Sequence, residues 1–183
     1  TATINLIITP AAVVVAGVDA EICAGSSYTI VGASITGVAD GVWSSAGGGS
    51  FIGGTAFTTA TGYTPSAAEV TAGTATLTLT SNDPDGAGDC TTQQDQVVIT
   101  ITPVPLISTA GVSDSEICSD TPTYVIANVT GTASTYNSLL WSTSGTGSFS
   151  NNTILNPVYT PTAADRTAGS VTLTLTADAK GSC

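Results

Sequence analysis

The sequence predicts an all-β protein made of tandem Ig-like antiparallel β-sandwich modules, and three observations carry that prediction. Thr alternates with apolar residues at period two in "TATLTLT" (74–80) and "VTLTLT" (171–176), the pattern of strands with one buried face. Gly, Asp, Asn and Pro clusters break the chain at short intervals, as turns between short strands do. The third is a near-duplication: "YTPSAAEVTAGTATLTLT" from Tyr63 returns as "YTPTAADRTAGSVTLTLT" from Tyr159. A catalytic site is usually made once, so a stretch repeated this closely suggests a module that is copied.

Within the first copy, "AAVVVA" (11–16), "SYTIVGA" (27–33), "GVWSS" (41–45), "AFTTATGY" (56–63), "TATLTLT" (74–80) and "QVVITIT" (96–102) read as strands. The exception is "PSAAEVTAG", where Pro65, Ser66 three residues before Glu69, and Gly73 predict one short capped helical turn. Short strands packed into so few residues point to a sandwich.

The duplication extends beyond that block. "AGVDAEIC" ends at Cys23 and "AGVSDSEIC" at Cys118; Trp43 lies in "GVWSSAGGGSF" and Trp141 in "LLWSTSGTGSF". Tyr63 answers Tyr159, and Cys90 answers Cys183. The offsets of 95, 98, 96 and 93 residues drift as loop insertions would make them drift. Module 1 is thus expected over 10–102 and module 2 over 103–183, the latter lacking its last strand. Residues 1–9, "TATINLIIT", resemble the last strand of module 1 and read as a closing strand belonging to a preceding or neighbouring module. The chain then reads as repeat periods cut from a longer array, or as a unit that donates its first strand to a neighbouring molecule. The Pro103 and Pro105 junction is expected to restrict hinge motion.

Charged residues are 8% of the 183, against roughly 25% in an ordinary globular protein. With 42% hydrophobic residues, this is not the composition of a disordered chain. Thirteen acidic residues face two basic ones, Arg166 and Lys180, for a net charge of −11. That balance excludes nucleic acid as a partner and argues against anionic membranes. No apolar run is long enough for direct membrane insertion as a helix.

There is no His, so Ser-His-Asp and Cys-His machinery are excluded. Lys180 has no counterpart in module 1, and the Gly-rich stretches do not precede helices, so neither Ser-Lys chemistry nor phosphate binding is supported. The chain is expected not to be an enzyme and to carry no cofactor. One acidic turn, "SNDPDGAGDC", offers Asp83, Asp85 and Asp89 as oxygen ligands for Ca²⁺; module 2 keeps only Asp178 there, which favours a solvated turn. Asn128 in "NVT" and Asn151 in "NNT" match the glycosylation pattern.

Equal placement of two cysteines per copy suggests the disulfides Cys23–Cys90 and Cys118–Cys183, each closing a long loop and adding roughly 4 kcal/mol. Buried free thiols are the alternative, although they would not require equal placement. Disulfides imply an extracellular or cell-surface location. Trp43, Trp141, Tyr63 and Tyr159 read as core residues.

The combination "EIC…W…GxGxF…YTPxAA(D/E)xxAGxxTLTLT…C" resembles the immunoglobulin-like repeats of very large Bacteroidetes cell-surface proteins, including gliding-motility adhesins exported by the type IX secretion route. Tyr159, Pro161, Ala163, Ala164, Asp165, Ala168 and Gly169 carry the likeness best. Module 1 departs from it with Glu69 in place of the Asp, and with Gly47 read against Ser144. The resemblance implies a non-catalytic structural repeat of a secreted adhesin or extracellular filament. Its expected partners are neighbouring copies or modules of the same protein, with glycans also possible. The alternative is a carbohydrate- or protein-binding module using inter-strand loops such as 45–50 and 144–148. An accessory domain of a carbohydrate-active enzyme is a third reading.

Overall fold

The computed structural model describes residues 2–109, 115–181 and 183. The chain divides into two compact units, Thr1–Pro103 and Val104–Cys183.

Unit 1 comprises β1 (Val13–Val15), β2 (Ala20–Cys23), β3 (Tyr28–Thr29), β4 (Ser34–Thr36), β5 (Gly41–Ser45), β6 (Ser50–Ile52), β7 (Gly62–Thr64), the helix α1 (Ala67–Ala72), β8 (Thr74–Ser81) and β9 (Gln94–Thr102). One sheet has the order β2-β9-β8-β5 and another β3-β7-β6, with β1 and β4 as a separate pair. All pairings are antiparallel except β2 with β9, which run parallel. The inner positions of β5, β8 and β9 (Trp43, Leu77, Leu79, Val97, Ile99, Ile101) pack with Tyr28 of β3 and Tyr63 of β7 in one core. That is an all-β sandwich, and the period-two alternation of β8 and β9 is what sorts Leu, Val and Ile inward and Thr outward.

Two expected strands are shorter than their apolar runs. Of "SYTIVGA" only Tyr28 and Thr29 form strand, and Gly32, at φ +73°, turns the chain soon afterwards. "AFTTATGY" reaches strand only at Gly62. Before it, the Ala56 carbonyl accepts from Thr59 N and Ala60 N (3.1 and 2.9 Å), and the Asp40 carboxylate accepts from Thr58 N (3.3 Å), so turn bonding wins over β-propensity.

Unit 2 comprises β10 (Ile107–Ser108), β11 (Tyr124–Val125), β12 (Thr130–Gly131), a 3-10 turn at Ala133–Thr135, β13 (Tyr136–Thr143), β14 (Ser148–Phe149), β15 (Val158–Thr160), α2 (Ala163–Ala168) and β16 (Leu173–Ala179). Its sheets are β13-β16, β11-β15-β14 and β10-β12. The core gathers Ile126, Val129 and Trp141, with Tyr124, Phe149, Leu155, Leu173 and Leu175 around them. Among the described residues, β16 has a strand on one edge only, where its counterpart β8 lies between β5 and β9. Accordingly Leu77 and Leu79 are fully buried, whereas Leu173 and Leu175 are only half-buried. "SEIC" at 115–118 forms no strand either, because its counterpart β2 is held by β9 alone.

The expected disulfides Cys23–Cys90 and Cys118–Cys183 are not formed. Cys90 and Cys118 are free thiols, whereas Cys23 and Cys183 are disulfide-bonded. Geometry explains the failure. Cys23 pairs with Thr102 at the end of β9, whereas Cys90 precedes the start of β9 at Gln94. A strand of that length spans roughly 26 Å, and a disulfide needs Cα atoms within about 7 Å. In unit 2, Arg166 near the end of α2 donates to Ser119 O and Thr121 O (2.5 and 2.7 Å), which holds the Cys118 segment before β16 starts; Cys183 follows its end. Equal placement in sequence put each pair at opposite ends of a strand.

Candidate functional site

The repeated block folds into the same buried polar cluster in both units. In unit 1 the chain leaves β7 at Thr64, crosses Pro65 and enters α1 with Ser66 as N-cap. Ser66 Oγ accepts from Glu69 N (3.2 Å), and the Glu69 carboxylate accepts from Ser66 N (2.8 Å), a complete capping box. Gly73, at φ +76°, closes the helix in the left-handed conformation glycine adopts at no steric cost. The cap carboxylate also turns inward. The Tyr63 hydroxyl lies 2.8 Å from both Glu69 oxygens, and Ser45 Oγ donates to Oε1 (2.7 Å).

Unit 2 repeats this with a side chain one methylene shorter. Thr162 caps α2 and donates its N–H to Asp165 Oδ2 (3.0 Å), to which the Tyr159 hydroxyl also donates (2.9 Å). Asp165 Oδ1 accepts from Thr146 N (2.8 Å), so the loop after β13 supplies a main-chain donor in place of the serine of unit 1. Glu69 and Asp165 are both buried.

The "GxGxF" spacing follows from this cluster. A Cβ on Gly47 would stand 2.2 Å from the Glu69 side chain, and one on Gly145 would stand 2.4 Å from Asp165 Oδ1. On Gly49 and Gly147 it would stand 2.3 and 2.4 Å from the Tyr63 and Tyr159 hydroxyls. Gly47 therefore corresponds to Gly145, not to Ser144 as the sequence alignment has it. Below the hydroxyls, Phe51 stacks between Trp43 and Tyr63 (centroids 6.1 and 4.8 Å), as Phe149 does between Trp141 and Tyr159 (5.9 and 5.1 Å). Trp43, Tyr63, Trp141 and Tyr159 all lie in the two cores.

The electrostatics are those of a latch. Burial alone would raise the Glu69 carboxyl, but hydrogen bonds from Ser66, Ser45 and Tyr63 outweigh it and hold the group below the usual carboxylate range. The Thr146 and Thr162 N–H groups, against an opposing effect of burial, hold Asp165 well below that range. Burial, and the neighbouring carboxylate, push Tyr63 and Tyr159 upward. At neutral pH each cluster is thus a fixed carboxylate accepting from a protonated phenol, and neither partner is tuned for proton transfer.

The acidic turn does not gather its three carboxylates. Asp83 Oδ1 accepts from Asp85 N and Gly86 N (3.2 and 3.1 Å), and Asp85 Oδ2 accepts from Cys90 N (3.1 Å). Among the described residues no group of three or more His, Cys, Asp or Glu side chains converges on a possible metal position. Asn128 is exposed at φ +64°, and Asn151 is exposed with its Oδ1 accepting from Thr153 N (2.9 Å). The loops 45–50 and 144–148 turn much of their hydrogen bonding inward: Ser45 and Thr146 bind the carboxylates, and Ser66 Oγ donates to Gly47 O (2.7 Å).

No protein-family model matches the chain, and no curated protein matches it. Among solved structures, the chain is similar to one described as a protocadherin gammaB7 EC3-6 cis-dimer, at 20% identity and a TM-score of 0.46. That likeness covers 94% of this chain and 44% of the other, so the chain spans less than half of that structure's length. It assigns neither a family nor a function.

Proposed function

We propose that the chain is a structural repeat unit of a secreted cell-surface adhesin or extracellular filament, a non-catalytic stalk of the kind that the Bacteroidetes repeats make. One observation carries the reading. The residues that the two copies share most closely go into cores and into the Tyr–carboxylate latch, while among the described residues no other polar constellation of that kind is repeated. Duplication has kept what builds a module. It has not kept a site.

Disulfide-bonded Cys23 and Cys183 support an oxidising, extracellular setting, and the exposed sequons at Asn128 and Asn151 are open to glycans there. The loops offered for carbohydrate or protein binding are committed to the latch, which favours the stalk over the binding module. The test is labelling with antibodies raised against the folded chain. The reading expects staining of intact cells of the source organism, and staining only after permeabilisation would overturn it.

A further inference from the structure

In unit 1 a stretch of chain that includes β2 runs parallel to β9 and in register with it. Residues 16, 19 and 20–23 each meet the residue 79 positions further along. Over Ala20–Cys23 the contact is ordinary strand pairing, with Ile99–Thr102. Before β2, where Gly17 stands at φ +109°, two carboxylates carry the contact on. Ala16 N donates to Asp95 Oδ2 and Val98 N to Asp19 Oδ1, both at 2.8 Å. At the far end Ala24 N donates to Thr102 O (2.8 Å), and Thr102 Oγ1 donates to Glu21 Oε1 (2.6 Å). Eight extended residues make a seam roughly 26 Å long.

We infer that this seam is a mechanical clamp: tension along the chain shears 16–23 against 95–102, and all of these bonds resist it together. Direction decides the matter. The chain enters the seam at Ala16 and leaves it at Thr102, which lie at opposite ends of two parallel strands. Pulling there slides one strand along the other, so every bond across the seam is loaded at once. Pulling both strands from a single end would open the pairs one after another. β9 is anchored on its other side by seven residue pairs with β8, so β2 is the strand that must slide. Ala20, Ile22 and Ala24 pack against the core, and sliding would strip those apolar contacts as well. Upstream, β1 is held to β4 by three residue pairs, a shorter contact that yields first.

The clamp deepens the stalk reading, which supplies the tension and on which it rests, by naming the contact that gates the opening of a module. Surface labelling does not depend on the clamp, and pulling does not depend on location, so the two can fail separately.

The experiment is single-molecule pulling of the full chain, with reductant present so that the disulfide at Cys23 carries no load. Handles are coupled through azide-bearing residues at exposed positions, 8 and 104 to shear the seam, 26 and 104 to peel it from one end. The expected rupture force in shear is several times that in peeling at the same loading rate, because forced opening is governed by the barrier along the pulled direction. Asp19→Ala, at an exposed position remote from residue 26, should lower the shearing force and leave the peeling force unchanged. Thr102→Val, at the end where peeling begins, should lower both. Equal forces in the two directions overturn the inference, as does an Asp19→Ala chain that shears at the wild-type force. Equal losses in both directions for Asp19→Ala, the mark of general weakening, overturn it too.

Discussion

Replacing Glu69 by Ala tests the latch most sharply, because the carboxylate binds three separate parts of unit 1. It takes hydrogen bonds from Tyr63 of β7, Ser45 of β5 and the Ser66 N–H at the helix start. Ser45 and Ser66 lie at a partly open rim and can turn to water. The Tyr63 hydroxyl, buried beneath them, is left with only Ser45 Oγ, at 2.7 Å, as acceptor. Losing its hydrogen bond to a charged carboxylate costs about 1.5–3 kcal/mol, and the lost cap adds about 1 kcal/mol. The expected loss is therefore about 3 kcal/mol, a large part of the stability of a module this size. The assay is urea unfolding followed by fluorescence, with Trp141 replaced by Phe so that Trp43 reports alone. With a slope of roughly 1.5–2 kcal/mol per molar urea, the midpoint should fall by about 1.5–2 M. Glu69→Gln, which keeps the shape and one acceptor, should fall by about half as much. A midpoint unmoved by Glu69→Ala would refute the reasoning, since it would mean that Tyr63 is as well served by Ser45 as by the carboxylate.

Other consequences are equally open to measurement. Both latch carboxyls are depressed in the folded state, so their stabilisation is complete above the unfolded values near pH 4 and is lost as pH falls through the folded values; thermal melts should decline steeply below about pH 4, less so in Glu69→Gln. Gly49→Ala, which drives a Cβ toward the Tyr63 hydroxyl and the Thr64 carbonyl, should cost roughly 2 kcal/mol or more. Gly48→Ala meets open space and should cost only about 1 kcal/mol for its φ of +79°, as urea midpoints would report. Alkylation of the unreduced protein should modify two of the four cysteines. Exposed Cys118 should react first and Cys90 slowly, since burial and the nearby Asp85 carboxylate push its thiol up; mass spectrometry of timed samples distinguishes them.

The sheets were readable because their physics is local. Alternation in "TATLTLT" and "QVVITIT" places Leu77, Leu79, Val97 and Ile99 on one face, and those residues are the core. Ser66, Glu69 and Gly73 likewise spelled out a capped helix. Sequence spacing could not show that Glu69 reaches past its own cap to Tyr63, because that contact depends on how β7 and β5 meet in space. The signal was present as the repeated pair of glycines, 47 with 49 and 145 with 147, read only as turns. The cysteines misled for the same reason: matching positions in two copies establish equivalence and say nothing about distance. Arg166 was read only as a charge, yet its guanidinium gathers the carbonyls of Ser119, Thr121 and Pro122.

The central claim is that the repeated block exists to hold a buried, ionised carboxylate under a tyrosine hydroxyl. Carbon-detected NMR titration of the Glu69 and Asp165 side chains tests it most directly. Glu69 should remain ionised below, and Asp165 well below, the ordinary ranges near pH 4.3 and 3.9, with the Tyr63 and Tyr159 ring signals shifting only as those carboxyls protonate. Titration of either carboxyl at its ordinary value, with the tyrosine signals indifferent to it, would contradict the account.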